Sequence, residues 1–147
     1  MNHMKTCYLD ANVLVYLCLH DSPFHKKAID IIEKLYLDQY VLYTSPLALD
    51  EHIHAIKRTI QKEKLQSIYP TLHAVLESIL DLTGLSLINS PTDLASQFHI
   101  LTYMKDYSLK TRDAYHLLIM KYHDISHFAT FDEDFEKVFA DGMMEKY

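Results

Sequence analysis

Thr6-Cys7-Tyr8-Leu9-Asp10-Ala11-Asn12-Val13-Leu14 is the stretch on which the reading of the chain turns. Thr6–Leu9 is a short β-type run that ends at Asp10, and Asn12 is placed to cap a helix continuing through Leu19. A buried strand that ends on an acid and gives way to a helix belongs to an α/β architecture. In open parallel sheets, ligands gather outside the carboxyl ends of the strands, and Asp10 falls at such an end.

The alternation continues outward from there. Ala28, Ile31, Ile32 and Leu35 have helical spacing and predict a helix from Pro23 to Leu37. Tyr40–Tyr43 reads as the next buried strand, and Ser45-Pro46 as the cap and first-turn proline of a helix reaching about Lys57. Leu72, Leu76, Ile79 and Leu80 form an apolar stripe, so Ile60–Leu82 reads as two helices joined near Pro70. Leu85–Ile88 is a third strand, and Ser90-Pro91 is expected to open a helix running to about Lys105. A helix starting at Ser108 or Thr111 runs through Tyr122, His127–Ala129 is a fourth strand, and Met143–Tyr147 holds an edge strand. Helices long enough to serve as crossovers imply a mainly parallel sheet covered on both faces, a three-layer α/β/α sandwich. Residues 1–147 are expected to form a single domain.

Composition narrows the options further. Only 2 Gly and 4 Pro leave little material for the tight turns of an all-β domain, and 49% hydrophobic residues are enough for a sizeable core. A net charge of −6 disfavours nucleic-acid binding through the overall field, unless the acid is concentrated at a metal and cations sit beside it. The 2 cysteines, in apolar stretches, do not suggest a disulfide scaffold, and a reducing cytoplasm is the expected location. Val13–Leu19 is far shorter than the roughly 20 residues of a membrane span, so no membrane association is expected.

The carboxylates carry the chemistry. Asp10 and Asp132 follow strands, Glu51 lies one to two turns into the helix after the second strand, and Asp113 lies in the first turn of its helix. Each alone could be a cap or a partner for a helix macrodipole. Together they present a problem of repulsion, since two like charges about 4 Å apart cost roughly 4 kcal/mol at an effective dielectric near 20. Mg²⁺ or Mn²⁺ would relieve it, taking carboxylate oxygens as ligands while keeping positions for water and phosphate.

Four segments, in order, resemble the successive motifs of PIN domains: Tyr8 through Leu14, Ser45 through Glu51, Thr111-Arg112-Asp113-Ala114, and Ala129 through Phe135. The resemblance spans nearly the whole chain. It implies a metal-dependent endoribonuclease hydrolysing RNA phosphodiesters. It also implies that Asp10, Glu51, Asp113 and Asp132 are the catalytic acids and ligands for Mg²⁺ or Mn²⁺, with Asn12 and Thr130 as polar supports. Many small relatives are toxins of toxin–antitoxin pairs, so an antitoxin protein joins RNA as an expected partner. Small PIN-like chains often pair, and the 11 tyrosines could furnish a two-fold interface, so a homodimer is expected. The competing function is a non-catalytic PIN-like module that binds RNA or protein. Four intact acids weigh against it, because a scaffold has no reason to retain their repulsion.

Two positions depart from the family pattern: His52 stands where an apolar residue is usual, and Asp50 adjoins Glu51. Asp134 reads as a helix-start acid in preference to a fifth ligand. Neither Cys7 nor Cys18 has an evident base partner, and no Gly-rich phosphate loop is present. Structural zinc is disfavoured, because His123 and His127 are separated by a turn and His52 and His54 point apart on a helix. His116, three residues after Asp113, could lie near the site, but reads first as a partly buried helix residue. Lys110 and Arg112 flank the proposed metal and are the expected RNA-phosphate contacts. Lys57, Arg58, Lys62 and Lys64 read first as a solvated helix face, with contact to RNA phosphates as the alternative, and Tyr107 or Tyr115 as candidates to stack on a base.

Overall fold

Alternate residues of the central strands face opposite layers, as a period of two requires. In the computed structural model, which describes residues 3–62 and 68–147, Tyr8 and Phe128 enter one core while Cys7, Leu9, Leu42 and Ala129 enter the other. Strands β1 (Thr6–Leu9), β2 (Val41–Thr44), β3 (Leu85–Leu87), β4 (His127–Ala129) and β5 (Glu145–Lys146) form one sheet in the order β3-β2-β1-β4-β5. Every pairing is parallel, with Tyr8 opposite Tyr43 on one side and Phe128 on the other. Burial on both faces explains why β1 reads as an unbroken apolar run.

Helices α1 (Ala11–Cys18), α2 (His25–Leu37) and α4 (Tyr69–Leu80) contribute Val13, Leu14, Ile32, Leu35 and Ile79 to one core. Helices α5 (Leu94–Tyr107), α6 (Thr111–Tyr122) and α7 (Glu136–Ala140) contribute Ile100, Leu117, Ile119 and Val138 to the other. Helix α3 (Pro46–Lys62) sends Leu47 to one core and Leu49 to the other, and packs Ile56 and Ile60 with Val15. The result is the expected three-layer α/β/α sandwich. Gly84, at φ +73°, makes the turn from α4 into β3, a conformation that side chains rarely adopt.

Helix boundaries depart from expectation where a stronger cap competes. Asp10 caps α1, accepting from the Ala11 N–H, so Asn12 lies inside the helix and its amide serves the site instead. Ser90-Pro91 opens no helix; Asp93 caps α5 by accepting from both the backbone and the hydroxyl of Ser96. Helix α2 begins at His25, after Pro23, and α3 extends to Lys62, beyond Lys57. Pro70 stands in the first turn of α4, where its missing N–H costs nothing. The Ser45 cap is present, accepting from the Ala48 N–H at 3.2 Å. Lys64 lies outside the described residues, as does the Lys62 side chain, while Lys57 is half-buried and Arg58 exposed.

Candidate metal centre

Asp10 leaves β1 at its carboxyl end and is only 5% exposed, so its charge must be held by partners. Ala11 N–H donates to Oδ1 at 2.7 Å, and the Thr130 hydroxyl donates to Oδ2 at 2.6 Å. Thr130 follows β4 and ties the neighbouring acid into the same frame. Its Oγ1 accepts from the Asp132 N–H at 3.0 Å and from the Asn12 amide at 3.2 Å, while Asn12 Oδ1 accepts from the Phe131 N–H. Burial pushes the Asp10 carboxyl above its ordinary range, against the pull of His116, Thr130 and Ala11.

Glu51 joins Asp10 through His116, which the sequence reads first as a helix residue. His116 is 1% exposed, and its Nε2 lies 2.6 Å from Glu51 Oε1 and 4.0 Å from Asp10 Oδ1. Its Nδ1 is 2.8 Å from the Tyr8 hydroxyl, which in turn bonds Ser45 Oγ at 2.5 Å. Burial works against the charged imidazole, but the Glu51 hydrogen bond and the charges of Asp10, Glu51 and Asp113 outweigh it and raise its pKa. Asp10, Glu51 and His116 each offer a ligand atom within 4.8 Å of the others. Asp50, next to Glu51, is exposed on the other side of the helix turn.

Asp113, Asp132 and Asp134 form a second group on the same criterion, within 4.8 Å. Asp134 sits in the 3₁₀ turn Glu133–Phe135, as its reading as a helix-start acid implies, and Asp132 Oδ1 accepts from its N–H at 2.9 Å. The N-terminus of α6 favours a charged Asp113. Burial and the charges of Asp132 and Asp10 prevail, pushing its carboxyl up to about 6. The two groups are thus electrostatically coupled, and the coupling runs between Asp113 and Asp10. Lys110, expected to meet RNA, holds Asp134 at 3.4 Å, whereas Arg112 is exposed.

Two carboxylate-rich groups, a carboxyl raised by burial and by its acidic neighbours, and hydroxyl and amide supports fit a divalent cation with oxygen ligands. A measurable consequence follows for the metal-free protein. A carboxyl raised from 3.8 to about 6 binds more protons when folded, so stability falls as pH rises through that window. Solvent screening at this half-exposed group holds the effect to about 1 kcal/mol. Urea unfolding from pH 4.5 to 7 should show that fall in the wild type and lose it in Asp113→Asn. Parallel pH profiles would contradict the assigned environment.

Other candidates have ordinary roles. Cys18 does have a base neighbour, since His52 Nε2 lies 3.7 Å from its Sγ, across the α1–α3 contact. Burial raises the Cys18 pKa and lowers that of His52 to about 4, so the pair stays a thiol and a neutral imidazole. Burial likewise pushes Cys7 up to about 12. Tyr107 donates to Asp141 and Tyr115 to Gln97, and His123 and His127 bond Asn89 and Glu145 separately.

Acids gathered at the carboxyl end of a parallel five-stranded sheet, on a three-layer sandwich, define an α/β protein with the donor set of a cation-dependent site. The sequence profile of the PIN domain matches residues 7–140, and the chain belongs to that family. It is 24% identical over 145 residues to Ribonuclease VapC6 of Methanocaldococcus jannaschii, covering 89% of this chain and 91% of the relative. The fold is also that of VapC20 of Mycobacterium tuberculosis, a sarcin-ricin loop cleaving toxin, with a TM-score of 0.64, 17% identity and coverage of 95% and 97%. VapBC2 of Rickettsia felis, solved bound to a DNA fragment from its promoter, gives a TM-score of 0.65 at 14% identity, covering 97% of each chain. Among the described residues, no helix is long and apolar enough to cross a membrane.

Proposed function

We propose that the protein is a metal-dependent endoribonuclease, acting as one domain over residues 1–147 and serving as the toxin of a toxin–antitoxin pair. The observation that carries this reading is the gathering of Asp10, Glu51 and His116, and of Asp113, Asp132 and Asp134, each group with ligand atoms within 4.8 Å of one another. Burial first, then the charges of Asp132 and Asp10, push the Asp113 carboxyl up to about 6. A site whose function did not need concentrated negative charge would gain by losing one of these acids. The ribonuclease relative, the VapC20 toxin and the VapBC2 complex bound to a fragment of its promoter, among the structural neighbours, support the toxin–antitoxin assignment.

Asp10 and Glu51, with Asp113 and Asp132, would hold Mg²⁺ or Mn²⁺. The bound cation supplies Lewis acidity and charge neutralisation toward a phosphodiester. The chain's own part is positioning. Thr130 and Ala11 fix both oxygens of Asp10, and Thr130 also anchors the backbone at Asp132, so two acids from adjacent strands share one support. Arg112, and Lys110 when released from Asp134, stand where they can meet backbone phosphates without reading sequence. Pairing of two copies belongs to the same reading, supported by Leu94, Phe98 and Leu101, which expose an apolar stripe on α5. A monomeric mass by light scattering at tens of micromolar protein would remove that part alone.

Single-stranded RNA should be cut internally by the purified protein with Mn²⁺ or Mg²⁺ and left whole in EDTA, with activity restored by excess metal. RNA bound but never cut, with either metal, would favour the non-catalytic binding module.

A further inference from the structure

We propose that His116 is a nitrogen ligand of the cation held by Asp10 and Glu51, making this a mixed nitrogen–oxygen centre that favours Mn²⁺ over Mg²⁺. The proposal rests on the reading that these acids hold a divalent metal.

His116 occupies the buried face of α6, between Ala114 and Leu117, Leu118, Ile119 and Met120, all of them buried and apolar. An imidazole there is costly unless both ring nitrogens have partners. Both have. Nε2 faces Glu51 and Asp10, 2.6 Å from Glu51 Oε1 and 4.0 Å from Asp10 Oδ1, so the nitrogen shares one small space with two groups able to bind a cation. The other nitrogen, Nδ1, faces the Tyr8 hydroxyl at 2.8 Å.

The Tyr8–Ser45 pair is what makes ligation feasible. Either hydroxyl can be the donor in the Tyr8–Ser45 bond. When Ser45 donates to Tyr8 and Tyr8 to Nδ1, the ring carries its proton on Nε2 and donates to Glu51. When Tyr8 donates to Ser45, Nδ1–H donates to Tyr8 and Nε2 presents a lone pair toward the two carboxylates. Nδ1 and the phenol stay paired in both arrangements, and in the second Nε2 is left for a cation to pair. The second is the pattern of metal-bound histidines, whose other ring N–H is fixed by an outer acceptor. A ring protonated on both nitrogens would release its Nε2 proton to solvent on ligation, whereas the Nδ1–H tautomer would bind with no proton released; in either case Nδ1 keeps its proton for Tyr8. Mn²⁺ shares the oxygen preference of Mg²⁺ but tolerates an imidazole nitrogen beside it, whereas Mg²⁺ holds to oxygen donors and retained water, so this ligand sets the direction of the preference between the two.

The bland alternative is that His116 only steadies Glu51. Electron spin-echo measurements on the full-length protein loaded with Mn²⁺ separate the two. Ligation predicts modulation from one directly bound ¹⁴N nucleus, replaced by the ¹⁵N pattern on isotopic labelling and absent in His116→Gln. By calorimetry, the ratio of Mn²⁺ to Mg²⁺ affinity should fall at least about tenfold in that variant. Mn²⁺ bound to the wild type with oxygen-only coupling would overturn the proposal while leaving the metal centre standing. No Mn²⁺ binding by the wild type would overturn both. Should His116→Gln fail to fold by circular dichroism, the labelled and unlabelled wild type decide the question between them.

Discussion

Asp10→Asn is expected to lower cleavage of single-stranded RNA by at least about a hundredfold with either metal, while leaving the fold and its stability nearly unchanged. A hundredfold corresponds to roughly 2.7 kcal/mol of lost transition-state stabilisation. Stability should hold because two changes oppose each other. Asn keeps the volume and can accept from the Ala11 N–H through Oδ1, which leaves its NH₂ facing Thr130 Oγ1. That oxygen already accepts from Asn12 and from the Asp132 backbone, so one hydrogen bond is lost, at about 1 kcal/mol. Against this, a carboxylate that burial and Glu51 both disfavour has been removed. EDTA should reproduce the loss in the wild type, and excess metal should reverse EDTA without fully rescuing the variant. Mn²⁺ should raise the wild-type melting midpoint more than that of Asp10→Asn, since it binds the folded state alone. Equal cleavage by both proteins would point to a contaminant or a different site and would end the proposed mechanism.

The parts of this arrangement legible in the sequence are those fixed by local chemistry. Strands β1 and β4 read to the residue, because Thr6–Leu9 and His127–Ala129 are short apolar runs that stop at polar residues. The cap at Ser45 and the close of α6 near Tyr122 follow from neighbours in the chain. Helix starts were harder wherever two caps competed. Asp10 pre-empts Asn12, and Asp93 pre-empts Ser90, because the winning side chain reaches the backbone from the better position.

Contacts across the sheet left weaker marks. His116 meets Tyr8 across 108 positions and Glu51 across 65, and no local pattern announces either. Its one signal is a polar residue within the apolar stripe of α6, on the same face as Asp113 three positions earlier. His52 carries a similar mark, since it breaks an otherwise apolar position on α3, and it meets Cys18 for the same reason of layer packing. Asp134 stands in the 3₁₀ turn as its local pattern implies, while its approach to Asp113 depends on how β4 sets that turn against α6.

That turn is held by Phe135, and Phe135→Ala should be the most destabilising single change near the site, costing about 3–5 kcal/mol. The ring is fully buried and meets Phe128 edge to face, with centroids 4.8 Å apart at 84°. Phe128 in turn lies against Tyr8, so the cavity would open beside the strand that carries Asp10. Such a loss is a large fraction of the 5–15 kcal/mol typical of a domain. It should also loosen the acids, because Asp132 caps the 3₁₀ turn that Phe135 closes and Asp134 sits between them. Metal should therefore bind more weakly to the folded fraction of Phe135→Ala, by calorimetry at a temperature where circular dichroism shows the fold intact. Phe139→Ala, only partly buried at the edge of the same cluster, should cost roughly half as much and leave metal affinity alone. Urea unfolding of the two variants provides the comparison. A loss below about 1 kcal/mol for Phe135→Ala would mean that the ring does not anchor this core, and the link from packing to the acids would fail with it.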